Sequence, residues 1–211
     1  MSEIAGPVGA ALGLAIASGL SLYGAVFVSG LAIRLEWVHL ASAWTSLGVL
    51  ADPVVLAVSG VLFLVEFLAD KIPVVDSLWD AVHTVIRPVG GALLASRALG
   101  ELSPAAEVLA LLLLGGATLA THAAKATTRL AVNASPEPVS NVLISLAENG
   151  LVAGAVWLAL AHPLLALGAG LVALALAVTL TVWLARRAIG ALGRLKRGRA
   201  PEPPRSVAGV T

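Results

Sequence analysis

The chain contains no cysteine, which excludes disulfides, thiolate metal sites, thiolate-held iron–sulfur clusters and cysteine nucleophiles. Charge is also scarce. Asp, Glu, Lys and Arg make up 12% of the residues, against about 25% in soluble domains, which is too little polar surface to face water. No HExxH, nucleotide-binding glycine loop or evident nucleophile is present, so no catalytic residue and no cofactor are assigned. The beginning of the chain lacks the basic region and small-residue cleavage pattern of a removable signal peptide. Its first apolar stretch is expected to remain as a span.

What is present is apolar, with 59% hydrophobic residues and a mean hydropathy of +0.97. A span takes about 20 apolar residues, so the chain has room for about six with short loops. The sequence therefore predicts an all-α integral membrane protein over residues 1–187, followed by a basic, disordered cytoplasmic tail over 188–211. Its spans run from about Gly6 to Ile33, Pro53 to Lys71, Asp76 to Leu99, Ser103 to Thr128, Val139 to Ala161, and on to Leu184. Arg34 to Ala51, with Trp37 and Trp44, reads as an interfacial segment. Asp52-Pro53 and Ser103-Pro104 are cap-plus-proline helix starts, and Pro88 interrupts the third span. The two hairpins they open would share one orientation, as parallel repeats do.

The first span is rich in Gly and Ser and longer than one crossing needs. It either tilts or breaks near Ser18-Gly19, and the tilted helix is preferred. Its small residues would suit close helix contacts, including an oligomer interface. Arg186, Arg187, Arg194, Lys196, Arg197, Arg199 and Arg205 follow the last span, so the positive-inside tendency places the tail in the cytoplasm. Six spans then return the N-terminus to the same side. The tail lacks interleaved aromatics, so membrane lipid rather than nucleic acid is its expected partner.

Four polar stripes lie within the apolar segments. Glu66 and Asp70 share one helix face, as do Asp76, Asp80, His83 and Arg87. His122, Lys125 and Arg129 make a basic stripe, and Asn141, Ser145 and Glu148, with Asn149 beside them, repeat the four-then-three spacing. A charge at the bilayer centre costs roughly 2.5–3.5 kcal/mol on insertion scales, so the stripes must face one another or water, most simply around a common interior near the cytoplasmic ends of spans two to five. A metal site is not favoured, because the His and Asp residues of the third span occupy a single stripe. In the bland alternative the network only fixes helix register, Lys71, Lys125 and Arg129 snorkel, and Asp76 caps its helix. The sequon Asn133-Ala134-Ser135 is expected to be cytoplasmic and without consequence.

Gly19-Leu-Ser-Leu-Tyr-Gly24, Glu66-Phe-Leu-Ala-Asp-Lys-Ile-Pro73, Asp76-Ser-Leu-Trp-Asp80 and Asn133-Ala-Ser-Pro-Glu-Pro138 with Ser140-Asn141 together resemble a bacterial family catalogued as domain of unknown function 4126. The resemblance implies only a multi-span bacterial membrane protein and carries no activity; the bacterial cytoplasmic membrane is the expected location. The leading functional expectation is a transporter or channel for a small ion or polar solute, an anionic solute included. Anionic-lipid handling and a non-catalytic, homo-oligomeric scaffold are the alternatives.

Overall fold

The computed structural model describes residues 2–38, 42–133 and 138–197, and every regular element among them is helical. The helices are α1 (Ser2–Leu20), α2 (Leu22–Arg34), α3 (Pro53–Ala69), α4 (Pro73–Ser96), α5 (Pro104–Asn133), α6 (Pro138–Ala161) and α7 (Pro163–Arg197), with 3-10 turns at Ser42–Ala51 and Arg97–Leu99. Pro104–Asn133, Asn141–Ala161 and Pro163–Gly190 are each long and apolar enough to cross a membrane. Trp44–Ala51 with Pro53–Ala69, bent by 72°, makes a fourth such stretch. The chain is an all-α membrane protein, as its composition requires.

Proline begins five of these helices, where its missing N–H costs nothing. The Asp52 carboxylate caps α3 by accepting from the N–H groups of Val54 and Val55. Helix α4 continues unbroken through Pro88, contrary to the expected interruption, because packed neighbours hold such helices together. Gly100 turns the chain between α4 and α5 at φ 73, a backbone region that suits residues without a Cβ.

Helix α1 stands at the centre. Residues 9–19 are all buried, and α2, α4, α5, α6 and α7 pack around it, with α3 closing the ring between α2 and α4. Its small residues make this possible. A Cβ on Gly9 would lie 1.9 Å from the Pro163 carbonyl oxygen, one on Gly13 2.8 Å from the Ala159 Cβ, and one on Gly19 2.6 Å from the Thr118 oxygen. The small-residue face is therefore covered by the chain's own helices rather than offered to a second copy.

The expected single tilted helix is instead two helices, broken at Ser21, whose backbone is extended (φ −153, ψ 109). Beyond the break the chain turns back. Helix α1 advances alongside α5: Thr118 donates to the Ala15 carbonyl, Gly19 abuts Thr121, and Lys125 reaches the Leu20 carbonyl. Helix α2 opposes α3, with Gly24 against Phe63, Phe27 against Gly60 and Gly30 against Leu56. Since α3 and α5 run in the same direction, α1 and α2 form a re-entrant hairpin with its tip at Ser21. Helices α3 to α7 then alternate along the full bundle. The start of α1 lies beside Pro163 at one end, here the entry end, and α7 runs from there toward the other, the charged end. The two termini of the described chain thus lie at opposite ends, where a single first crossing would have placed them together.

The segment after α2 is more than an interfacial strap. Trp44, Leu47 and Leu50 are buried, and Ser46 donates to the Arg97 carbonyl. Helix α7 continues to Arg197, past the expected span end at Leu184, so the first part of the expected disordered tail is helical. The Pro201–Pro204 segment lies outside the described residues. Around the bundle, Leu78, Val82, Leu112, Leu146, Val172 and Leu176 are exposed, the apolar face a bilayer demands.

Candidate functional site

The charged side chains fill the space left where α1 stops. Glu66 and Asp70 come from the last turn of α3, Asp76, Asp80 and Arg87 from α4, His122, Lys125 and Arg129 from α5, and Asn141, Ser145 and Glu148 from α6. All are buried. Helices α4 and α6 present their groups in one register: Asp76, Asp80 and His83 follow Pro73 at the same intervals at which Asn141, Ser145 and Glu148 follow Pro138. Arg87 lies about 20 Å along α4 at 1.5 Å per residue. The cluster therefore extends from the charged end toward mid-bundle.

The break in α1 is held by this cluster. Ser21 caps α2, its Oγ accepting from the Gly24 N–H at 3.0 Å and donating to Glu66 Oε2 at 2.6 Å. The terminal carbonyls of α1 have no helical N–H partners and carry the negative end of the helix dipole. Arg87 Nη1 donates to Gly19 O at 3.3 Å and Lys125 Nζ to Leu20 O at 3.0 Å. Arg87 Nη2 also binds Glu66 Oε1 at 2.5 Å, with Asp80 Oδ1 3.2 Å from Nη1.

Toward the charged end, Arg129 holds Glu148 at 3.0 Å and donates to Asn141 Oδ1 at 2.6 Å. Its Nη2 lies 3.4 Å from Asp70, and its Nε 3.9 Å from Asp76. Lys125 lies 3.4 Å from Asp70, 3.8 Å from Glu148 and 3.9 Å from Glu66. Lys125 and Arg129 are 4% and 1% exposed, so neither snorkels. Lys71 at the rim donates to Ser145 Oγ and to the Phe67 carbonyl.

Hydrogen-bond partners assign both imidazole tautomers. Arg87 Nη1 lies 2.7 Å from His122 Nδ1 and can only donate, so Nδ1 is the acceptor. His122 Nε2 then carries the proton and donates to the Asp80 carbonyl at 3.1 Å. His83 donates from Nδ1 to the Trp79 carbonyl at 2.8 Å, leaving Nε2 to accept from the Tyr23 hydroxyl at 3.1 Å. It stacks on Trp79 and stands beside the ion cluster rather than in it.

Of the residues singled out from sequence, Asn149 is not brought in. Its amide returns to the Ser145 carbonyl of its own helix. Asp76 does more than cap α4, since it accepts from Asn133 Nδ2 at 2.8 Å and faces Arg129. Asn133, Ser21, Tyr23 and Thr84 join the site without having been expected. Thr84 follows the α4 stripe, one residue past His83, and its hydroxyl donates to the Asp80 carbonyl. Asn133 reads from sequence as a sequon, and Ser21 as one small residue among many. Among the described residues, no group of three His, Cys, Asp or Glu side chains could hold a metal ion.

The chain matches the family described as domain of unknown function (DUF4126) over residues 8–187, and it belongs to that family. No curated protein matches it, and no solved structure does.

Proposed function

We propose that this DUF4126 protein moves a small ion across a bacterial cytoplasmic membrane, through the charged axis below the Ser21 hairpin tip. The observation that carries this reading is the re-entrant hairpin, whose tip ends among buried titratable groups. Interrupted helices are tolerated in membranes where their freed backbone groups face protein or a water-lined path, and transporters use such half-helix ends to meet ions. The basic residues from Arg186 onward favour a cytoplasmic charged end. The entry end, with the start of α1, then faces outward.

The lipid-handling alternative draws less support. It needs His122, Lys125 and Arg129 free to meet a phosphate, and all three are engaged by carboxylates or backbone within the chain. The scaffold alternative is favoured by one specific observation: the three buried cations, Arg87, Lys125 and Arg129, all pair with carboxylates of the chain.

Ion flux into proteoliposomes separates the two. Glu148→Gln, Asp80→Asn and Arg87→Gln should each reduce flux at least tenfold in protein that remains folded. Unchanged flux in all three, or no flux of protons, sodium, potassium or chloride in the wild type, sinks the transport reading and leaves the scaffold.

A further inference from the structure

Electroneutrality points to a ligand within the cluster. Five carboxylates, Glu66, Asp70, Asp76, Asp80 and Glu148, are buried with three cations, Arg87, Lys125 and Arg129. His122 is neutral by its partners, and Lys71 at the rim, which donates to Ser145 Oγ, adds a fourth positive charge that acts on Asp70 and Glu148. Five carboxylates against four cations leave one negative charge in excess, at a depth where each uncompensated charge is costly.

The hydrogen bonds locate the deficit. Asp80 is 4% exposed, and neither of its carboxylate oxygens accepts a hydrogen bond, although Oδ1 lies 3.2 Å from Arg87 Nη1 as an ion pair. Asp76, one turn earlier on the same face of α4, is 0% exposed and has an unpartnered Oδ1. The amide oxygen of Asn133 lies outside the acid set, and it too is buried without a partner, while its nitrogen binds Asp76. Buried polar atoms are normally paired. Asp70 Oδ1 and the donors Arg87 Nε and Arg129 Nη2 also lack hydrogen bonds, but on Asp76, Asp80 and Asn133 every unfilled atom is an acceptor oxygen.

We propose that Asp76, Asp80 and the Asn133 amide oxygen bind one monovalent cation, a proton or an alkali ion. An oxygen-only donor set suits a hard cation. The charged or titratable groups around it are His83 and Arg87 on α4, His122, Lys125 and Arg129 on α5, Glu66 and Asp70 of α3 with Lys71 just beyond it, and Glu148 on α6. The site lies between the Asn133 rim and Arg87, which grips the hairpin tip. Filling it neutralises the carboxylate that competes with Glu66 for Arg87. This deepens the transport reading by naming the ion as a cation and giving it a place to stop.

Equilibrium occupancy tests the site separately from flux. The full chain in nanodiscs of neutral lipid is examined by difference infrared spectroscopy for a protonated carboxyl, and by radioactive sodium and potassium for saturable binding. A proton occupant gives a protonated-carboxyl band at neutral pH that disappears in Asp80→Asn. An alkali occupant gives one ion bound per chain, with affinity falling at least tenfold in Asp80→Asn. Should Asp80→Asn fail to fold, Asn133→Ala, at the rim and in no ion pair, should shift the band or weaken binding at least threefold. Wild-type protein with neither signal overturns the site even if vesicles conduct ions. A signal unmoved by both variants overturns it as well. Occupancy in a protein that supports no flux keeps the site and removes transport.

Discussion

The bundle axis is filled in two ways. Toward the entry end it holds α1 residues such as Gly9, Ala10 and Ala17, packed so closely that a methyl added to Gly9 collides with the Pro163 carbonyl. Past Ser21 it holds seven charged side chains from α3, α4 and α5, together with Glu148 from α6. The first region takes its rigidity from steric contact and needs no polar partner. The second is held by long-reaching ion pairs at 2.5–3.9 Å and leaves acceptors unfilled. Close packing of small residues tolerates one arrangement, whereas a cluster with excess charge can exchange a ligand. The difference suggests that the entry half anchors the hairpin and the charged half responds.

Four substitutions sharpen or break this contrast. Arg87→Met should have the largest effect. It leaves Glu66 and Asp80 buried without their main cation, a loss of about 3–5 kcal/mol, read as thermal stability in detergent. Adding Glu66→Leu should recover most of that loss, because replacing a buried pair by apolar groups is often near neutral. A double variant no more stable than the single one would show that the pair is not a unit. Gly9→Ala comes next in the packed half. Its Cβ would meet the Pro163 carbonyl at 1.9 Å, a backbone clash that should cost about 3 kcal/mol. Wild-type stability in this variant would break the account of the packed half.

Ser21→Ala removes the α2 cap and one hydrogen bond to Glu66. The expected loss is about 1 kcal/mol, together with a larger relative loss of ion flux. A stability loss with flux intact would place the tip outside the ion path. The smallest effect should come from Gly116→Ala, where nothing lies within 4 Å. Helix propensity alone predicts a gain of up to about 1 kcal/mol. Destabilisation there would mean that the packed half extends further along α5 than its contacts indicate.

Much of this architecture is legible in the amino acids because membranes make burial of charge expensive. Period and cost together bring Glu66, Asp70, Asp80, Arg87, Lys125, Arg129 and Glu148 to one interior, and Asp52-Pro53 and Ser103-Pro104 mark where α3 and α5 begin. The reversal at Ser21 is not legible. A single extended residue separates two helices of ordinary apolar composition, and its direction is set by α3 and α5, far away in sequence. The role of Asn133 is not legible for a related reason: it depends on Asp76 across the α4–α5 contact, and locally the residue reads only as the start of a sequon without consequence. The helical stretch to Arg197 was obscured by basic residues that resemble a solvated tail.

The central position of α1 has a consequence for how the protein is made. Helix α1 leaves the ribosome long before α7, yet Gly9 rests on Pro163 and the Ala15 carbonyl on Thr118. The walls of its slot do not exist when it first enters the membrane. The hairpin must wait in a provisional setting, or in the care of an insertase, until the later helices close around it. Such long sequence separation slows folding. Truncations that remove α7 should therefore strand the hairpin and expose it to proteolysis, even though the pieces that remain are themselves hydrophobic.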